Sequence, residues 1–82
     1  MASRLEDATA WDLLQMIRML DQRVSDKQAM INSLLEALDR DDYEEEYMRE
    51  ADQSALEHHE YGQYLYRIAS ECAQEVYRRR FK

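Results

Sequence analysis

The sequence contains no proline and a single glycine, Gly62. These two residue types supply most of the tight turns of β-rich domains, so their near absence excludes a fold of many short strands. Alanine, leucine, methionine, glutamate, glutamine and arginine recur along the chain instead, and these residues lose little side-chain freedom in a helix. The composition therefore predicts an all-α protein.

Paired cysteines and long apolar runs are also missing. The single cysteine, Cys72, cannot form a disulfide within the chain, which fits a reducing compartment. No apolar segment approaches the roughly 20 residues that span a bilayer. Glu6 and Asp7 are unlike the apolar core of a secretion signal. We therefore expect a cytoplasmic protein that does not bind membranes.

The motifs of common catalytic and metal sites are absent as well. The sequence has no glycine-rich phosphate loop and no paired-cysteine motif, and the residues one helical turn from His58 and His59 are not usual metal ligands. We therefore predict a binding protein without catalytic, cofactor-binding or metal-binding residues. An alternative interpretation is a small helical enzyme for a dianionic substrate, built from Arg18, Arg23, Lys27, Arg49, Ser70 and Gln74.

A heptad pattern predicts a first long helix over about residues 3–39. Ser3 and Glu6 have the spacing of a capping box, which places the start of this helix near Ser3. Residues spaced alternately by three and four then form a seam that only Lys27 interrupts. The seam consists of Ala10, Leu13, Ile17, Leu20, Val24, Lys27, Ile31, Leu34 and Leu38.

An acidic turn at about residues 39–42 and a second helix at about 42–80 follow. Asp41 with Glu44, and Asp42 with Glu45, have the spacing of helix N-terminal caps. The short connection predicts an antiparallel hairpin. The predicted seam of the second helix consists of Met48, Ala51, Ala55, His58, Gly62, Leu65, Ala69, Cys72, Val76 and Arg79. An alternative interpretation breaks the helices near Ser25 and Gly62 and gives a compact globule of three or four helices.

The apolar stripes are wider than one hairpin requires, which predicts a homodimer that forms a four-helix bundle. A chain of 82 residues also buries a small fraction of its surface by itself. The predicted oligomer core consists of Leu13, Ile17, Leu20, Val24, Ile31, Leu34, Leu38, Leu65, Ile68 and Val76.

The charge is strongly negative, with 18 acidic and 11 basic residues and a net charge of -7. This charge repels nucleic acids and anionic membranes, so a protein with a basic surface is the expected partner. Carboxylates and tyrosines are concentrated around the turn and along the second helix. The predicted partner-binding residues are Asp41, Asp42, Tyr43, Glu44, Glu45, Glu46, Tyr47, Glu50, Glu57, Glu60, Trp11 and Tyr64.

The expected function is that of a small acidic modulator or inhibitor that docks its carboxylate- and Tyr-rich helix on a basic partner. Its size and charge are similar to those that a phage-encoded inhibitor of a nucleic-acid-handling protein would have, which is an analogy only. The plainest alternative is that the acidic residues form a solvated helix face. Two others are a structural or chaperone-like bundle that binds through apolar faces, and a nucleic-acid binder that uses Arg78–Lys82.

Overall fold

The computed structural model describes residues 5–81 and shows two long antiparallel helices. A 3₁₀ turn, Leu5–Asp7, precedes helix α1, Ala10–Arg40, and helix α2, Glu46–Phe81. Residues 5–81 contain no strand, and the hairpin measures 54 × 25 × 14 Å. The prediction of an all-α helical hairpin is confirmed. Both helices continue without a break through Ser25 and Gly62, so the alternative of a broken-helix globule is wrong.

Helix α1 begins at Ala10 and not near Ser3 as predicted. The capping box is formed by Thr9 and Asp12: the Asp12 N–H donates to Thr9 Oγ1 at 3.1 Å, and the Thr9 N–H donates to Asp12 Oδ2 at 3.4 Å. Ser3 lies outside the described residues. Leu5 and Ala8, which precede this capping box, pack against the cluster of Leu13, Ala73 and Val76.

Helix α1 ends at a residue with left-handed backbone angles, and the second helix begins only after several non-helical residues. Asp41 has φ 51°, and its N–H donates to the Ala37 carbonyl at 3.1 Å. This conformation terminates a helix and redirects the chain. Residues 41–45 then cross to the second helix, so α2 begins at Glu46 and not at about residue 42 as predicted.

The heptad seam predicted for α1 faces α2. Leu13 and Ile31 are buried, and the residues between and beyond them on the same stripe are half-buried: Ile17, Leu20, Val24, Lys27, Leu34 and Leu38. At the open end of the hairpin Leu13 packs with Ala73 and Val76. The register predicted for α1 is therefore confirmed within one chain.

The register predicted for α2 is only half right: Ala55, Gly62, Ala69 and Val76 of the predicted seam are half-buried or buried, but the seam residues that alternate with them are exposed. Leu56, which is not part of the predicted seam, is only 6 % exposed, whereas Leu65 of that seam is 45 % exposed. His58 and Cys72 of that seam are exposed too, although Val76 is buried. The centre of the face that packs on α1 consists of Asp52, Leu56, His59, Gln63, Tyr66, Ser70, Ala73 and Tyr77, and Gly62 and Val76 adjoin it.

Polar side chains account for this different register because they cross the seam to partners on α1. The buried Gln63 donates through Nε2 to the Val24 carbonyl at 3.1 Å and to Gln28 Oε1 at 2.9 Å. The Ser70 hydroxyl, also buried, donates to Asp21 Oδ1 at 2.7 Å. Among residues 5–81, every buried side-chain nitrogen and oxygen has a hydrogen-bond partner, which removes the usual cost of burying polar groups.

Lys27, the charged interruption of the α1 seam, is paired across the hairpin. Its ammonium group lies 2.9 Å from His59 Nδ1, and its stem passes Gly62, where a Cβ atom would come within 3.2 Å of Lys27 Cε. Because an ammonium can only donate, His59 Nδ1 accepts and the ring is neutral. Partial burial, the charge of Lys27 and the neighbouring His58 lower the pKa of His59 below its ordinary value of 6.5.

We expect the hairpin to lose stability as the pH falls below the ordinary His pKa of 6.5. The unfolded chain takes up the His59 proton first, so the contribution of neutral His59 is complete above that pH and is lost as the pH falls through the lower folded pKa. Melting temperatures between pH 8 and pH 5 should fall more for the wild type than for His59→Gln, which accepts from Lys27 but does not titrate. Parallel falls in the two proteins would contradict this prediction.

Candidate protein-binding surface

The acidic connection is held to the start of α2 by two side-chain contacts. Arg49 Nε donates to Asp41 Oδ1 at 2.9 Å, and the Tyr43 hydroxyl donates to Asp52 Oδ2 at 2.6 Å. The hydrogen bond to the Asp52 carboxylate, with smaller effects of burial and charge, raises the pKa of Tyr43 to about 12. These contacts fix the course of residues 41–45 although most of their side chains are exposed.

One exposed face of α2 carries a continuous row of polar residues, which we call the acidic stripe. Its members are spaced alternately by four and three, which places them on one side of a helix. They are Glu46, Glu50, Gln53, Glu57, Glu60, Tyr64, Arg67 and Glu71, and all of them are exposed. Five of the eight are glutamates, and one cation, Arg67, lies among them. The row extends along most of a single unbroken helix of 36 residues.

Exposed tyrosines adjoin the acidic stripe. Tyr47 follows Glu46, and Tyr64 belongs to the stripe itself. The ring of Tyr64 lies 6.4 Å from that of Tyr61, with 27° between the ring planes, so the two rings stack on the helix surface. Tyr side chains provide large, rigid contact area at low entropic cost, and they are common anchors in protein interfaces. The α2 surface therefore combines negative charge with aromatic contact area.

No family model, curated protein or solved structure matches the chain. Inferences about function therefore depend on the geometry and chemistry of its own surface.

The structure leaves most of the predicted partner-binding residues exposed in the acidic connection and on α2, but it half-buries Tyr43 and places Trp11 at the other end of the hairpin. Glu44, Glu45 and Glu46 are exposed beside Tyr47, and Asp41, Asp42, Glu50, Glu57 and Glu60 are exposed as well. Tyr43 is half-buried and its hydroxyl is bound to Asp52. Trp11 is 69 % exposed, but it lies beside Leu13, which packs on Val76 at the far end of the hairpin. That end is about 45 Å from Glu46 at the rise of an α-helix.

The sequence prediction missed three residues of the acidic stripe: Gln53, Arg67 and Glu71. Their spacing from Glu46 was a usable signal, because steps of three and four define one helix face. That signal becomes informative only when the buried face of α2 is known. The register derived from apolar residues pointed to a different face, so these three residues did not stand out.

The arginines at the end of α2 are engaged within the chain. Arg78 binds Glu75 at 2.9 Å, and Arg79 binds Glu6 at 2.8 Å. Arg80 donates to the carbonyl groups of Leu5 and Ala8. These contacts join the 3₁₀ turn to the end of α2, and they compete with any phosphate that would bind there. None of the hydrogen bonds and ion pairs found among residues 5–81 involves a side chain of the acidic stripe.

The residues considered for an enzymatic pocket do not all meet in one place. Arg18 and Arg23 line one open groove on α1, Arg23 and Lys27 line another, and Arg49 binds Asp41 at the connection. The Ser70 hydroxyl donates to Asp21 and accepts from Gln74. Residues 5–81 contain no group of three or more His, Cys, Asp or Glu side chains placed to hold a metal ion. Neither described helix is long and apolar enough to cross a membrane.

Proposed function

We propose that the protein is a binding modulator that docks the acidic stripe of α2, with the acidic connection beside it, on a basic surface of another protein. The observation that carries this proposal is the exposed row of Glu46, Glu50, Glu57, Glu60 and Glu71 along one rigid helix. Carboxylates at fixed spacing give electrostatic complementarity and speed up association with a basic groove. The stacked tyrosines supply the rigid contact area that such a complex needs.

A nucleic-acid-handling protein is the partner class that we propose. Its groove is basic because it binds phosphates, and a row of glutamates along a helix presents negative charge at a regular spacing as a nucleic-acid strand does. Occupation of that groove would make the protein an inhibitor. The cytoplasm, where such partners reside, is the compartment that this proposal implies.

The experiment compares two charge reversals of equal size. The stripe variant replaces Glu50, Glu57 and Glu60 by lysine, and the control variant replaces Asp26, Glu36 and Asp39 on α1 by lysine; all six residues are exposed. None of them lies in the first turn of α2, so the helix dipole is not opposed.

The immobilised protein is used to capture partners from a lysate of its source cell, and calorimetry then measures the affinity of the captured partner for each variant. We expect the stripe variant to bind about 100-fold more weakly and the control variant to stay within about threefold of the wild type. The wild-type affinity should also fall steeply with added salt. Equal losses for the two variants would show that only net charge matters. An unchanged affinity of the stripe variant, with circular dichroism confirming its fold, would contradict the proposal.

A further inference from the structure

Helix α2 carries a second exposed row, next to the acidic stripe, which we call the outer stripe. It consists of Tyr47, Ala51, Ser54, His58, Tyr61, Leu65, Ile68, Cys72, Glu75 and Arg79, all of them exposed. The steps of four and three are those of the a and d positions of a coiled coil. Its centre is apolar, with Tyr61, Leu65 and Ile68 among the large hydrophobic side chains that one chain leaves in solvent. A helix face of this kind is usually covered by another helix.

The outer stripe is complementary to itself when a second α2 runs in the opposite direction. If a two-fold axis passes between Tyr61 and Leu65, at the level of residue 63, Tyr61 lies opposite the partner's Leu65, and His58 lies opposite the partner's Ile68. Every a position then meets a d position, as antiparallel coiled coils require. The same register overlaps the two helices along their whole length, because α2 extends over Glu46–Phe81 and residue 63 is near its midpoint.

Charge favours this antiparallel arrangement over a parallel one. The beginning of α2 is acidic, with Glu44, Glu45 and Glu46, and its end is basic, with Arg78–Arg80. In the antiparallel pair each acidic end meets the basic end of the other copy, and Glu50 lies close to the partner's Arg78. A parallel pair would place acid against acid and arginine against arginine, which is unfavourable. One like-charged pair, Glu57 with the partner's Glu71, opposes the antiparallel register.

We propose that two copies of this chain associate through their outer stripes, with the α2 helices antiparallel and the two-fold axis between Tyr61 and Leu65. The interface is built around Tyr61, Leu65 and Ile68 and is closed at each end by the acidic and basic ends of α2. This arrangement is centred on a different α2 face, with Glu50, Glu57 and Glu71 of the acidic stripe at its edge, and its test needs no other protein. Failure of the self-association is therefore distinguishable from failure of the proposed function.

The native Cys72 allows a direct test of this register. In the proposed pair Ser54 lies opposite the partner's Cys72, so Ser54→Cys creates two thiol pairs between the copies. Within one chain the two positions are separated by about 27 Å of helix, which excludes an internal bridge. A bis-maleimide reagent that spans the usual helix separation of about 8–10 Å is added at tens of micromolar protein. We expect covalent dimers of Ser54→Cys on a denaturing gel, and monomers of the wild type and of Ser54→Cys/Cys72→Ser.

Two further cysteine variants test the register, because each is displaced from Ser54 by one heptad. Tyr47→Cys and Tyr61→Cys would meet the partner's Cys72 only if the helices were shifted along each other. We expect both to react several-fold more slowly than Ser54→Cys. Preferential cross-linking of either shifted variant would overturn the proposed register. If none of the three variants is cross-linked and the protein is a monomer in analytical ultracentrifugation, the proposed self-association is wrong. A different protein would then be the candidate for binding the outer stripe.

A mixing experiment tests the charge argument independently. One variant carries Glu44→Lys, Glu46→Lys and Glu50→Lys, and the other carries Arg78→Glu and Arg79→Glu. In a pair formed by either variant alone, charges of the same sign face each other at both ends, so each variant alone should sediment as a monomer. An equimolar mixture restores opposite charges at both ends and should recover the dimer. Dimers of either variant alone, at the same concentration as the wild type, would contradict the antiparallel arrangement.

Discussion

Leu13→Ala is expected to lower the free energy of unfolding by about 3 kcal/mol, because it leaves a cavity that the hairpin cannot fill. Leu13 is 0 % exposed and packs against Ala73 and Val76, with Leu5 and Ile17 beside them. A domain of this size has a total stability of only about 5 kcal/mol. The substitution should therefore remove more than half of the stability of the hairpin.

The neighbouring Leu14 provides a matched control for this prediction. Leu14 is 40 % exposed, so Leu14→Ala removes the same atoms as Leu13→Ala but outside the core. We expect Leu14→Ala to cost less than about 1 kcal/mol. Urea titrations followed by circular dichroism at 222 nm, a standard helix wavelength, give both values from the shift in midpoint. Similar losses for the two variants would show that the core of the hairpin lies elsewhere.

Gln63→Glu is expected to lower the free energy of unfolding by about 2–3 kcal/mol at neutral pH. The buried Gln63 amide donates to the Val24 carbonyl and to Gln28 Oε1. A carboxylate at this position would direct negative charge at two oxygen atoms and would have no hydrogen to donate. An uncompensated buried charge is among the most destabilising single changes in a protein.

Acidic pH distinguishes this cause from a packing defect. Burial and the two neighbouring oxygens raise the pKa of the introduced carboxyl group, and its protonated form donates one of the two hydrogen bonds that the amide donated. The stability of Gln63→Glu relative to the wild type should therefore recover as the pH falls through that raised pKa and should be lost as the pH rises. Gln63→Met has a similar shape and no charge, so it should cost about 1 kcal/mol or less at any pH. A deficit of Gln63→Glu that stays constant with pH would contradict the explanation.

The candidate binding surface could be predicted from the sequence only as a set of residues. Glu50, Glu57 and Glu60 were identified by their density and are exposed on one face of α2. Tyr43 was identified with them, but its hydroxyl binds Asp52. Trp11 is a side chain of the type that often anchors an interface, but it lies at the other end of the hairpin. Which of these side chains share a surface depends on how the two helices meet, and sequence density does not contain that information.

The sequence by itself determined the two helices and their antiparallel arrangement. Those features depend on local causes, namely the absence of proline, the scarcity of glycine, the heptad spacing of α1 and a short acidic connection. Only the tertiary structure decided which face of α2 is buried. Gln63 and Ser70 lie in the seam because Gln28 and Asp21 of α1 satisfy their polar groups. The burial of a polar side chain depends on a partner that is distant in sequence, and an apolar periodicity therefore cannot reveal it.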